Sequence, residues 1–156
     1  MSVESVKKYL KPFGLDDKVR EFQVSSATVE LAAAAAGVIP ARIAKTLSFK
    51  TNDSVILIVT SGDAKVDNKK YKAIFGTKAK MLTPEEVIAY TGHAVGGVCP
   101  FDIPDKNVKV YLDISMKRFE TVLPAAGSSS SCVVMTPEEL ERASQAREWI
   151  DICSIT

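Results

Sequence analysis

The chain has 156 residues, enough for one domain with a single substantial core, and a formal net charge of +1 that by itself points neither to nor away from nucleic acid. Hydrophobic residues make up 46% and charged residues 25%, the balance of a soluble globular protein. The longest β-branched apolar run, Val55-Ile56-Leu57-Ile58-Val59, is too short to cross a bilayer, so no membrane partner is expected.

In chain order, Val3, Val6 and Leu10 have helical spacing and end at Lys11-Pro12-Phe13-Gly14. The N-terminus lacks the apolar core and cleavage site of a secretion signal, and the default location is the cytoplasm. Glu21-Phe22-Gln23-Val24 alternates as a short strand does, Ser25-Ser26 offers an N-cap, and Val29 to Ala36 is an alanine-rich helix closed by Gly37. Ile43 to Lys50 reads as a strand that places Lys45 with Leu47 and Phe49 on one face, and Ala44, Thr46 and Ser48 on the other. A lysine on an apolar face either extends its ammonium to a rim or holds an anion there.

Thr51-Asn52-Asp53-Ser54 is a turn before the strand Val55 to Thr60, which predicts a hairpin. Asp67 caps a helix over Asn68 to Phe75, ended by Gly76. Around it Lys65, Lys69, Lys70, Lys72, Lys78 and Lys80 make a local basic patch, either a solvated face or a meeting place for RNA phosphates. Lys80 to Leu82 reads as a short strand, and Thr83-Pro84-Glu85-Glu86 is a capping box with proline at the first helical position. The same four residues recur at Thr136-Pro137-Glu138-Glu139, one helix-start solution used twice.

The stretch from Tyr90 to Pro104 is the most informative. Three glycines and two prolines exclude regular structure, yet Val95, Val98, Phe101 and Ile103 are threaded between them, so the loop is ordered and can offer bare N–H groups at Gly96 and Gly97 to a carbonyl or phosphate oxygen. Beyond it, Val108 to Leu112, Thr121 to Leu123, Cys132 to Met135 and Trp149 to Ile152 read as strands, with a short link over Asp113 to Phe119 and a helix from Pro137 to Ala146. The run Ser128-Ser129-Ser130-Ser131, flanked by residues of buried type, suggests a cavity wall. Without regular βαβ alternation the expected fold is α+β, with a mixed and largely antiparallel twisted sheet, partly barrel-like, flanked by helices.

Three dispersed cysteines and a single histidine argue against a zinc site and a disulfide framework, and no phosphate-binding or dinucleotide fingerprint is present. His93 is the one histidine available as a base, for a serine triad or for Cys99, but no Gly-x-Ser-x-Gly elbow is found. Backbone amides, one lysine and several hydroxyls suit binding, or hydrolysis of an activated ester.

The ordered set Ile43-Ala44-Lys45-Thr46-Leu47, Gly92-His93-Ala94-Val95-Gly96-Gly97-Val98-Cys99-Pro100-Phe101 and Ala125-Ala126-Gly127-Ser128 resembles the YbaK family of trans-editing aminoacyl-tRNA deacylases, related to the editing domain inserted in bacterial prolyl-tRNA synthetase. The resemblance spans residues 1–156 as one editing domain. It implies hydrolysis of the ester of mischarged tRNA without metal, cofactor or covalent nucleophile, by a monomer or homodimer, with tRNA and an aminoacyl-tRNA synthetase as partners. It implies that Lys45 anchors the RNA 3′ end, that Gly96 and Gly97 orient the aminoacyl carbonyl, and that Thr46, His93, Pro100, Phe101, Gly127, Ser128, Ser129 and Ser130 surround the substrate. Some alanine-specific relatives carry a histidine after the Gly-Ser of the second wall, where this chain has Ser129, Ser130 and Ser131; either these hydroxyls line the pocket and favour serine, threonine or cysteine, or they merely hydrogen-bond the backbone, as loop serines more usually do. The alternatives are a tRNA- or synthetase-associated binding module without turnover, and a small-molecule esterase using Cys99 or a serine.

Overall fold

In the computed structural model, which describes residues 2–155, caps and apolar spacing build the helices where the sequence places them. Helix α1 (Val3–Leu10) buries Val3, Val6 and Leu10. A short strand β1 (Val19–Glu21) lies a few residues before the expected one, and α2 (Val29–Ala36) is capped by Thr28, leaving Ser26 free of that task. Strands β2 (Ile43–Lys50) and β3 (Val55–Ser61) form the hairpin that the Thr51–Ser54 turn predicts, Thr51 Oγ1 donating to the Ser54 carbonyl at 3.0 Å. Then follow β4 (Ala64–Val66), α3 (Asn68–Phe75) and α4 (Pro84–Thr91). The chain closes with β5 (Lys109–Asp113), a 3-10 turn over Ile114–Arg118, β6 (Leu123–Pro124), β7 (Ser131–Val133), α5 (Pro137–Ser144), β8 (Glu148–Ile150) and β9 (Cys153–Ile155). Periodicity misses β4 and β9, which pair with each other, because each is three residues long and alternation needs more.

The fold is α+β with a mixed sheet, as expected. Five strands lie in the order β6-β2-β3-β5-β8, and the two flanking pairs, β1 with β7 and β4 with β9, are separate antiparallel ribbons. Within the central sheet the β2–β3 hairpin is antiparallel, whereas β2 with β6, β3 with β5 and β5 with β8 are parallel. The sheet is open and does not close into a barrel, its outermost strands β6 and β8 having no mutual pairing.

Every residue of β3 is buried, which explains its continuous apolar run: it is covered on both faces. On one side Leu57 and Val59 join Ala44, Val6, Leu10, Phe101, Met116 and Leu140 in the main core. On the other, Ile56 and Ile58 pack with Phe49, Tyr71, Ile152 and Cys153. This division follows the period-two reading of β2, with Ala44 turned to one layer and Leu47 and Phe49 to the other.

Both Thr-Pro-Glu-Glu sequences form complete capping boxes, in α4 with Thr83 and Glu86 and in α5 with Thr136 and Glu139. Each satisfies two otherwise orphaned donors at the helix start. Thr136→Ala is expected to destabilise the fold by about 1 kcal/mol, lowering the melting temperature by roughly 2–4 °C in a thermal scan.

Candidate active site

The site is built on an interrupted sheet edge. Along the side of β2 remote from β3, β6 pairs with Ile43 and Ala44. Farther on, Leu82 N–H donates to Ser48 C=O at 3.2 Å and Lys50 N–H to Lys80 C=O at 2.8 Å, so the expected Lys80–Leu82 strand is reduced to a single bridge at Met81. Strand geometry turns the N–H and C=O of alternate residues to the same edge, and Ala44, Ser48 and Lys50 all face this way. Thr46 shares their parity and lies between the two covered stretches, where no neighbouring strand reaches it. Its N–H and C=O are therefore an open piece of sheet edge.

Over this gap lies a cavity of about 410 Å³. Its floor is Ala44 to Ser48 of β2, and its walls come from the start of α2 (Ala27, Thr28, Val29), the Met81–Pro84 segment, Val87 of α4, the glycine loop (Val95, Gly96, Val98) and Leu123, Ala125 and Ser131. The lining is mostly aliphatic. Two of its hydroxyls, Ser26 Oγ and Thr46 Oγ1, are buried without a hydrogen-bond partner among the described residues, an arrangement that costs roughly 1–3 kcal/mol per group.

Lys45 lines the same cavity, half-buried, and among the described residues it makes no ion pair. Burial pushes its pKa below the ordinary lysine value, partly offset by Cys153 and by the carboxylates of Asp63 and Glu30. Asp63 itself is engaged by Arg118, whose Nη2 lies 2.7 Å from its carboxylate. A desolvated ammonium without a close counter-ion gains from any anion placed beside it.

The glycine loop reaches the cavity through Gly96. With φ of 97°, and with only 3.3 Å between the position of an added Cβ and Ala27 Cβ, a side chain at this residue would be strained. Its N–H has no partner among the described residues, whereas Gly97 N–H donates to Ala94 C=O at 3.0 Å. Gly97 is buried against the backbone of Ser128, which a Cβ would approach to 2.9 Å. It thus joins the two glycine-containing walls.

The remaining residues expected around the substrate are brought near the site but not into it. His93 is 1% exposed, its Nε2 lying 2.8 Å from Phe101 C=O, and burial lowers its pKa. Phe101 is fully buried in the main core, and Pro100 borders a separate depression with Tyr9 and Ile103. Gly127 takes φ of 92° where a Cβ would lie 2.8 Å from Ser2 C=O and Val6 Cγ2, so it packs against α1. The serine run bonds within itself, Ser128 Oγ to Ser131 Oγ at 2.8 Å and Ser130 N–H to Ser128 Oγ at 3.3 Å. Its carbonyls hold the segment opposite, Ser130 C=O accepting from Phe22 N–H and Ser129 C=O from Ser26 N–H. The serines position Ser26 rather than line the cavity, apart from Ser131. Ser25-Ser26 reads in the sequence as the N-cap, but Thr28, immediately before the apolar-periodic stretch, takes that task, and Ser26 lines the cavity instead.

Cys99 sits 3.5 Å from His93, but the pair is not an activated nucleophile. The thiol is fully buried, and burial pushes its pKa up to about 12. No group of three or more metal-ligating side chains stands together among the described residues.

The fold and the site define a one-domain α+β protein with an aliphatic cleft that holds a cation and unpaired main-chain groups. Residues 24–143 match the family model of the aminoacyl-tRNA editing domain, and the chain belongs to that family. It is 52% identical over 154 residues to the uncharacterized protein YwhH of Bacillus subtilis (strain 168), with 98% of each chain covered. It is 30% identical over 143 residues to a proline–tRNA ligase of Thermosipho melanesiensis, covering 90% of this chain but only 25% of the ligase. Among solved structures, a candidate trans-editing enzyme for prolyl tRNA synthetase superposes with a TM-score of 0.88 at 30% identity, over 97% of this chain and 96% of the other. A hypothetical protein, APE2540, superposes with a TM-score of 0.84 at 28% identity, over 96% and 99%. These matches establish the YbaK type of editing fold.

His93 makes the loop's stability pH-dependent. Its folded-state pKa lies below the unfolded value near 6.5, so the contribution is complete above that pH and is lost as pH falls toward the folded value, where the unfolded chain takes up a proton that the folded chain does not. Urea unfolding at pH 7.5 should show His93→Gln less stable by about 1–3 kcal/mol, and at pH 5.5 the gap should narrow.

Proposed function

We propose that this protein is a cytoplasmic, free-standing aminoacyl-tRNA deacylase that hydrolyses the ester of mischarged tRNA. The observation that carries the reading is that Lys45, Gly96 and the open edge at Thr46, separated by up to fifty residues of chain, line one cavity. Family membership supplies the substrate class, and the resemblance to a stretch of proline–tRNA ligase supports a tRNA^Pro substrate and association with that synthetase.

The ester is already activated, so orientation and charge suffice. Lys45 tethers a phosphate of the RNA 3′ end, and the anion restores its lowered pKa. The free N–H groups of Gly96 and Thr46 hold the aminoacyl carbonyl, a role that Gly97, with its N–H engaged, does not share. A water oxygen bonds to the carbonyl carbon, the ester C–O bond breaks, and the ribose oxygen leaves with a proton that originates from the water. The aliphatic lining keeps other water out and strengthens the polar contacts.

A panel of mischarged tRNAs tests this. Lys45→Ala should lower kcat/KM by roughly 100-fold or more, while Cys99→Ala, which removes a buried and protonated thiol, should retain hydrolysis within about threefold. Hydrolysis that survives in Lys45→Ala, or that requires Cys99, overturns the proposal. Binding of charged tRNA without turnover would identify the chain as a recognition module.

A further inference from the structure

We infer that Ser26 and Thr46 form the amino-acid specificity pocket, and that the aminoacyl group they select carries a small hydroxylated side chain, seryl or threonyl. This rests on the editing reading and deepens it. Ser26 is 8% exposed and comes from the segment between β1 and α2, held there by its N–H bond of 2.6 Å to Ser129 C=O. Thr46 comes from the floor of the cavity on β2. Both line the cavity, and both hydroxyls are buried and unpartnered.

Other hydroxyls at the same wall are already used. Thr28 Oγ1 accepts from Leu31 N–H at 3.2 Å as the cap of α2, and Ser131 Oγ bonds Ser128 Oγ at 2.8 Å. The side chains of Ala27, Ala32, Ile43, Leu47 and Leu123, which line the same cavity, carry no donor or acceptor. An alanyl group entering this pocket would leave both orphans unsatisfied. A side-chain hydroxyl can donate to or accept from either orphan once that residue turns about χ1 to face the cavity, which a methyl group cannot do. A pocket built in this way discriminates by leaving its own polar groups unpaired when the wrong residue binds.

The test charges one tRNA with serine, threonine or alanine and compares kcat/KM. The wild-type protein should favour seryl or threonyl over alanyl by about tenfold or more, and Ser26→Ala and Thr46→Val should each reduce that ratio by roughly tenfold. Melting temperatures of the unliganded variants should be unchanged or higher, because each substitution removes a buried hydroxyl that bonds nothing. Binding of non-hydrolysable 3′-seryl-amide and 3′-alanyl-amide analogues of adenosine gives a readout independent of turnover. A wild-type ratio near or below one, equal losses for seryl and alanyl substrates, or marked destabilisation of both variants overturns the inference. Absence of hydrolysis with Ser26- and Thr46-dependent preference for the seryl amide would preserve the pocket and remove the deacylase reading instead.

Discussion

Everything at the site depends on a strand edge that is paired at both ends and left open in the middle. Strand β2 is held by β6 at Ala44 and by the Lys80–Leu82 segment at Ser48 and Lys50, and by β3 along its other edge, so the intervening backbone is fixed in extended form although no strand among the described residues pairs with it on this edge. A free edge is ordinarily a liability, since it invites another strand. Here the flanking pairings, together with α2, α4 and the glycine loop, enclose the open edge in the cavity. The same geometry sets Lys45 and Thr46, neighbours in sequence, on opposite faces of one strand while both still border the cavity.

The two glycine-containing segments act as one unit. Gly97 lies against the Ser128 backbone, and His93 ties the beginning of the loop to Phe101 near its end. The groups that look most reactive in the sequence therefore serve as internal fastenings. Burial keeps Cys99 protonated and His93 neutral, which suits a scaffold and not a nucleophile and its base. What stays chemically available is less conspicuous: an unpaired ammonium, two main-chain donors and two hydroxyls.

The serine run illustrates how composition can indicate the right place for a different reason. Four consecutive serines near a glycine suggest a hydroxyl-lined wall, and they do lie beside the cavity. Their hydroxyls bond within the run, and their carbonyls carry the segment that includes Ser26. The polar lining is displaced from the residues that advertise it to one that they hold.

Capping boxes, the β2–β3 hairpin, the continuous apolar β3 and the glycine closures of α2 and α3 were determined by the sequence alone, because each rests on contacts within a few residues or on the period of a single element. The residue order around Lys45 and the Gly96-Gly97 loop was enough to indicate the family. Only the tertiary structure decided which groups remain free: that Gly97 is bonded while Gly96 is not, that Thr46 faces a gap, and that Ser26 is buried without a partner. Whether a donor or acceptor is free depends on what every other segment brings to it, and that is a property of the assembled fold that no local pattern carries.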